Sequence, residues 1–246
     1  MEFILVIFIA LAAQRVRALS LFGALSATGV GFIIAYFFSW EGLIVLGVFF
    51  VSSTVLGRLP ARTFTREKEQ RTAGQVLANG GVAAGSALLY PWLGDLAIFM
   101  FIASLAAAAS DTWATELGRR FGGRPYHLRK RSIGENGLSG AVSIVGTYAA
   151  LVGSFFVSFV GWYVFSLDAW SLVIMTIAGF VGSIIDTVIG AYVQEERKCR
   201  VCQQKTESLV HCRKHTTFVR GVRFLGNNSV NTLCTLSAVI VVWIFA

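Results

Sequence analysis

The sequence predicts an all-α protein: a polytopic membrane bundle of about eight transmembrane helices with a small cytoplasmic metal-binding loop. Three observations predict it. The chain is 55% hydrophobic and only 14% charged, with 20 Phe among 246 residues. Its apolar residues fall into runs at 2–14, 20–38, 42–57, 73–93, 96–115, 139–165, 169–190 and 228–245, most of them near the roughly 20 residues that cross a hydrocarbon core. Finally, every Lys and Arg lies within 15–17, 58–71, 119–131 or 197–223, while the alternate gaps 39–41, 90–95 and 166–168 carry acidic charge only. Lys and Arg are retained on the cytoplasmic side of a membrane. The basic loops are therefore expected to be cytoplasmic and both termini outside.

The first run is short, so Arg15 and Arg17 are expected to snorkel from its end. It does not read as an export signal: it lacks a basic start, and its positive charge follows the apolar stretch. Trp40, Trp92, Trp162 and Trp170 stand near the outer ends of runs, as an aromatic belt would. The expected organisation is a bundle of seven helices over 1–190, a cytoplasmic Cys/His loop over 191–225 and a last helix over 226–246. The net charge of +8 follows from topology, and nucleic acid is not an expected partner. The bilayer is.

Ionisable and amide groups in membrane segments are costly and mark function. Here they are Asn79, Asp111, Glu116, Asp186, Asn228 and Asn231. Given the alternation of the runs, all are expected at the cytoplasmic side. In Gly179-x2-Gly182-Ser183-x2-Asp186 the spacing puts small residues on the same helix face as the acid. Asn228 and Asn231 also share a face. Asp111 and Glu116, five apart, lie about 140° apart on a regular helix, so a shared site is expected only if that helix ends or distorts. Carboxylates and amide oxygens suit Mg²⁺, which usually takes one or two carboxylates plus substrate phosphates. Arg66, Lys68 and Arg71 precede Gln75 and Asn79. Arg129, Lys130 and Arg131 precede a Gly-rich stretch, 134–140, that is expected to open a helix and offer its N–H groups to an anion. Together these are the parts of a magnesium–phosphate site. No Gly-x4-Gly-Lys-Ser/Thr phosphate loop is present.

The last basic loop holds Cys199-x2-Cys202-x9-Cys212-x2-His215, with His211 beside it. This spacing predicts a structural zinc on Cys199, Cys202, Cys212 and His215, because four protein ligands close a tetrahedral shell. Cys234 is expected to be packing, and His127 a surface residue or phosphate contact.

Four blocks occur in order: Val76-Leu77-Ala78-Asn79-Gly80-Gly81, Ser110-Asp111-Thr112-Trp113-Ala114-Thr115-Glu116-Leu117-Gly118, Gly179 to Thr187, and Asn228-Ser229-Val230-Asn231. They resemble the motifs of the integral membrane family that includes the plant phytyl-phosphate kinase and animal transmembrane protein nineteen. The resemblance implies a membrane kinase that uses CTP or ATP to convert a prenyl monophosphate to the diphosphate. Where the family usually reads Pro-x-Gly-Thr-Asn-Gly-Gly-Val, this chain has Ser132-Ile133-Gly134-Glu135-Asn136-Gly137-Leu138-Ser139. On this reading Asp111, Glu116 and Asp186 are catalytic, with Asp111 and Asp186 holding Mg²⁺. Arg71, Asn79, Arg129, Lys130, Asn136, Asn228 and Asn231 bind the nucleotide or phosphates. Phosphoryl transfer needs positioning and charge stabilisation, so no nucleophilic side chain is required. A related lipid cytidylyltransferase would use similar parts. A transporter of a small anion or lipid is the alternative from another class, and would place its site near the bilayer midplane.

Reporter fusions test the sidedness. Fusions after Gly94 and Asp168 are expected to read external, and fusions after Arg62 and Lys205 cytoplasmic. A cytoplasmic signal after Asp168 overturns the assignment of runs.

Overall fold

The computed structural model describes residues 1–59, 70–134, 139–203, 205–206 and 209–246. Its helices are α1 (Glu2–Arg15), α2 (Leu21–Arg58), α3 (Ala73–Leu88), α4 (Tyr90–Leu93), α5 (Asp95–Phe121), α6 (Ile144–Val164), α7 (Ala169–Tyr192) and α8 (Asn227–Phe245). Five of them, α2, α5, α6, α7 and α8, are long and apolar enough to cross a membrane. α1 and α3 have 14 and 16 residues.

Straight, the 38 residues of α2 would extend about 57 Å, nearly twice a bilayer core. The helix breaks at Ser39, whose φ of 50° and ψ of −140° are non-helical. The two arms fold back on each other. Ser39 Oγ donates to Glu2 Oε1 at 2.6 Å, while Arg58 Nη2 donates to the Val16 carbonyl at 2.6 Å. The start of α1 thus meets the break, and the end of α2 meets the end of α1. Runs 20–38 and 42–57 are these two arms, so each apolar run of the sequence corresponds to a helix or a helix arm.

The chain connections fix two ends of the bundle. At one, Ser20 N–H donates to the Arg71 carbonyl and Arg71 N–H to the Ala18 carbonyl, each at 3.0 Å. The basic segments gather there. At the other, Phe38 packs edge-on against Tyr90 and Phe165 and tilted against Phe101. Glu41, Asp95, Asp168 and the four belt tryptophans belong to this acidic end.

α5 is the hub. Ala97, Ile98 and every residue from Met100 to Ser110 are buried, and the helix packs against α2, α3, α4, α6, α7 and α8. A helix apolar all round belongs in a core. The partners approach closely because they too present small residues. A Cβ at Gly182 of α7 would lie 2.7 Å from the Cys234 carbonyl oxygen of α8 and 3.0 Å from Ala107 Cβ of α5. A Cβ at Gly179 would lie 2.4 Å from Ser154 Oγ and 2.8 Å from Ala106 Cβ. The glycines of Gly179-x2-Gly182 therefore seat helices, leaving Asp186 to face the cavity described below. Cys234 is buried, as expected of packing.

The loops at the basic end are not purely helical. Among the described residues they carry eight short strands: β1 (Tyr126–His127), β2 (Ser132–Ile133), β3 (Ala141–Val142), β4 (Glu196–Lys198), β5 (Lys205–Thr206), β6 (Val210–His211), β7 (Lys214–His215) and β8 (Thr217–Arg220). They form sheets of order β2-β1-β3, β5-β4-β8 and β6-β7. This corrects two expectations. The run 139–165 does not begin as helix: β3 occupies its start because it pairs with β1, and Ser143 caps α6 by accepting from Gly146 N–H at 3.1 Å. The Gly-rich stretch therefore leads into a strand, and its residues 135–138, Asn136 included, lie outside the described residues, as do Arg66 and Lys68.

Glycine packing yields a stability prediction. Gly182→Ala should destabilise the protein by about 1–3 kcal/mol, because the obstructing Cys234 carbonyl is backbone and cannot step aside. Gly85 has open space around its missing Cβ, so Gly85→Ala should be neutral or stabilising by about 0.5–1 kcal/mol. Thermal unfolding in detergent reads both; equal midpoints would contradict the packing argument.

Candidate functional site

A cavity of about 1640 Å³ opens at the basic end. Arg71, Asn79, Asp111, Glu116, Arg129, Lys130, Asp186, Asn228 and Asn231 all line it. Four helices, α3, α5, α7 and α8, with the segment before α3 and the β1–β2 turn, thus bring these nine residues to one chamber.

The acids come from α5 and α7. These helices touch where Ser110 Oγ donates to Ser183 Oγ at 2.8 Å; Ser110 Oγ also lies 2.8 Å from the Ala150 carbonyl of α6. Asp111 follows Ser110 directly, and Asp186 lies one turn beyond Ser183 in the same direction. Both carboxylates therefore emerge just above the layer where α5, α6 and α7 lock together. Asp111 lies well inside the end of α5, about 15 Å of helix before Phe121, because α5 continues past the predicted end at 115. The cavity is a well reaching into the bundle rather than a shallow rim. Glu116 also lines it although α5 runs to Phe121 without a break. The expectation that the helix must end or distort is corrected: the chamber is wide enough to wrap around the helix. Glu116 accepts from Arg119 Nη2 at 2.6 Å.

Four helices begin at the well. Ser20, Thr72, Ser143 and Asn228 line it from the first turns of α2, α3, α6 and α8. Ser20 accepts from Gly23 N–H, and Thr72 and Gln75 form a reciprocal capping box. Helix N-termini carry partial positive charge and favour anions. Gly74 lets α3 and α8 converge here, since a Cβ on it would lie 2.5 Å from Asn228 Nδ2. Asn79 Nδ2 donates to the Gln75 carbonyl at 3.0 Å, leaving its carboxamide oxygen on the α3 face. Arg71 is half-buried, its guanidinium 5.8 Å from the Phe50 ring centroid. Burial lowers its pKa from the ordinary range, and the nearby Glu116 carboxylate opposes that shift. Arg129 and Lys130 are exposed at the β1–β2 turn.

Sequence reasoning missed some lining residues. His127 is buried at 4% exposure, not a surface residue, because β1 turns it inward beneath Gly134, where a Cβ would lie 2.6 Å from the imidazole Cδ2. Gln194, also buried, lines the well one turn after Gly190. Strand pairing reveals the first position, and the continuation of the chain past α7, with Gln194 N–H donating to the Ile189 carbonyl at 3.0 Å, the second. Glu195 ties the Cys/His loop to the start of α8. Its carboxylate accepts from Phe224 N–H at 2.8 Å and pairs with Arg197. The Phe224 N–H holds its pKa below the usual carboxylate range, with Arg197 assisting against partial burial.

The thiol cluster forms at the loop's turns. The ligand atoms of Cys199, Cys202, His211 and Cys212 all lie within 4.8 Å of one another. His211 Nδ1 is 3.5 Å from Cys202 Sγ and 3.3 Å from Cys212 Sγ. The Cys199 thiol is pulled down to about 6, first by the Cys202 backbone N–H, whereas neighbouring thiols, Cys202 first, push Cys212 up to about 11. His215 is not in the cluster. β6 pairs β7 with His211 opposite Lys214 and Val210 opposite His215. Alternate residues of a strand face opposite sides, so His215 shares Val210's side and is turned away from the face of His211. The group that could hold a metal ion therefore has His211 in the place that the spacing gave to His215. His211 also lines the well, so the cluster abuts it.

The family model described as Integral membrane protein DUF92 matches residues 4–239. The chain is 30% identical over 191 residues to Uncharacterized membrane protein MJ0933 of Methanocaldococcus jannaschii, covering 76% of this chain and 80% of that protein. It is 30% identical over 183 residues to Uncharacterized membrane protein sll0875 of Synechocystis, covering 68% and 69%. Over 96 residues it is 29% identical to Protein VTE6, chloroplastic, of Arabidopsis thaliana, covering 39% of this chain and 29% of that protein. No solved structure matches. A match over residues 4–239, nearly the whole length, means that the chain belongs to the DUF92 family of integral membrane proteins.

Proposed function

We propose that the protein is a membrane kinase that transfers a phosphoryl group from CTP or ATP to a prenyl monophosphate, giving the diphosphate. The observation that carries this reading is the blind well of mixed charge. Acids, amides, basic side chains and four helix N-termini line one chamber, and the aromatic packing around Phe38 fills the opposite end of the bundle. The resemblance to the phytyl-phosphate kinase family supports the same chemistry.

The donor set fits Mg²⁺, a hard cation that takes carboxylate oxygens and leaves positions for substrate phosphates. Asp111 and Asp186 would hold it, and when bound it neutralises charge on the phosphate oxygens. Arg71, Arg129 and Lys130 face the remaining anionic charge, and Glu116 holds Arg119 at the same wall. Asn79, Asn228 and Asn231, with Asn136, hydrogen-bond the nucleotide or phosphates. The helix N-termini add fixed dipoles that need no reorganisation during transfer. The attacking group is an oxygen of the lipid monophosphate, so the chain's part is to align two phosphates. On this reading the basic end faces the cytosol, where the nucleotides are, and the chain crosses the bilayer eight times. Cys199, Cys202, His211 and Cys212 hold a structural zinc that braces the loop beside the well.

Two experiments test this. Asp111→Asn and Asp186→Asn keep shape but lose charge, so each should cut phosphoryl transfer on the order of 10²-fold or more while leaving the detergent-solubilised protein monodisperse. Labelled CTP and ATP with a panel of prenyl monophosphates, read by product mass, supply the assay; near-normal turnover in either variant overturns the shared-metal site. Elemental analysis should find about one zinc per chain. His211→Ala should lose it and His215→Ala should keep it; the reverse result would restore the fourth ligand expected from spacing.

A further inference from the structure

The well has a side wall as well as a mouth. α6 and α7 run antiparallel, and the wall they form is tied at two levels, the second through the segment that leads into β3 and α6. Toward the acidic end, Ser154 Oγ donates to the Thr176 carbonyl at 2.7 Å. At the basic end, Gly140, with φ of +78°, sits so close to Ala191 that a Cβ on it would lie 2.4 Å from Ala191 Cβ. From Thr176 to Ala191 is about 22 Å of helix. Between these levels the facing residues, Thr147 and Ala150 on α6 and Phe180, Ser183 and Ile184 on α7, all line the cavity.

Two of these five are open to the outside of the bundle as well. Ile184 is 46% exposed, and Thr147 is exposed too. The surface around them is apolar: Ile144, Tyr148, Leu151, Ile177 and Val188 are exposed on the same two helices. Three other seams of the well are shut by close contact at this depth. Gly146 of α6 lies against Gly118 and the Ala114 carbonyl of α5. Gly182 of α7 lies against the Cys234 carbonyl of α8, and Thr235 Oγ1 of α8 donates to the Ala78 carbonyl of α3 at 3.3 Å. The α6–α7 seam thus connects the chamber with the apolar outer surface.

We propose that the α6–α7 window is a lateral portal for the hydrocarbon tail of a membrane-resident lipid monophosphate, with Phe180 and Ile184 as the residues the tail passes. The inference rests on the reading of the well as a site for a lipid phosphate, and deepens it by giving the tail a route. The layer behind the window is the Ser110–Ser183–Ala150 junction, directly below Asp111 and Asp186. A lipid sliding in along the window therefore brings its phosphate to the acids while its tail stays in hydrocarbon. A water-soluble nucleotide enters by the polar mouth, lined by Arg129, Lys130 and Asn228, so the two substrates arrive from different solvents and meet at one place. The tail never crosses the charged mouth, where exposing its CH₂ groups to water would oppose entry.

Photolabelling tests the portal without requiring turnover. A prenyl monophosphate bearing a diazirine on its first isoprene units is equilibrated with the protein in vesicles, irradiated, and the adducts mapped by mass spectrometry. The expected adducts fall on Phe180, Ile184 and Thr147, and excess unlabelled prenyl monophosphate removes them. Adducts on α2, α3 or α8, or none that the competitor removes, overturn the portal. Kinetics give the second arm. Ile184→Trp narrows the window, and should raise KM at least tenfold for a long-chain monophosphate relative to a short, water-soluble one measured on the same variant. An unchanged ratio also overturns the portal. Window adducts in a protein that transfers no phosphoryl group would sink the kinase reading alone. Transfer by wild-type protein with adducts elsewhere would sink the portal alone.

Discussion

The all-round burial of α5 is the constraint on which the rest depends. In lipid there is little hydrophobic drive to bring helices together, so close packing must do it. α5 meets that demand with a stretch dominated by Ala and Ser from Ala103 to Ser110, against which α7 sets Gly179 and Gly182. Small side chains on both partners draw the backbones close. The Ser110–Ser183 hydrogen bond, formed in that tight layer, fixes the register between the two acid-bearing helices. Where the burial of α5 ends, Asp111 begins. The packing that stabilises the bundle is thus the same packing that delivers the two carboxylates to one chamber.

The direction of the helices then sorts the chemistry. α5 and α7 run toward the basic end and contribute acids from their later halves. α2, α3, α6 and α8 run away from it and contribute free N–H groups, hydroxyls and amides from their first turns. Alternating antiparallel connection makes this sorting automatic. Acid-bearing helix segments and anion-favouring helix N-termini interleave around one cavity.

The loop between α7 and α8 is bound to that arrangement. Glu195 anchors to Phe224 and pairs with Arg197, and Arg220 Nε donates to Glu196 Oε2 at 2.6 Å. These contacts hold the loop's β-strands over the last turn of α7 and the first of α8. The Cys/His cluster sits on the same structure, and His211 belongs both to it and to the wall of the well. Bracing the loop therefore braces one side of the site.

Much of this was legible in sequence because its causes are one-dimensional. Apolar runs and charge segregation identify helices and their alternation, since hydropathy and charge retention act locally along the chain. Asn79, Asp111, Glu116, Asp186, Asn228 and Asn231 stood out because polar groups are costly among apolar ones, and all of them line the well. Spacing alone could not decide what depends on pairing. His211 rather than His215 completes the thiol cluster because a two-residue turn at Cys212-Arg213 sets the register of β6 and β7. His127 is buried because β1 pairs with both β2 and β3. The depth of Asp111 follows from α5 continuing through Arg119 and Arg120, charged residues that end a hydropathy run without ending a helix. The break at Ser39 falls in the 39–41 gap between two apolar runs, but its positive φ has no glycine to announce it; there Ser39 Oγ donates to Glu2 Oε1. Sequence determined which residues prefer water, lipid or charge, because those preferences belong to side chains. Tertiary structure decided which of them meet, because that depends on the register of helices and strands distant in the chain.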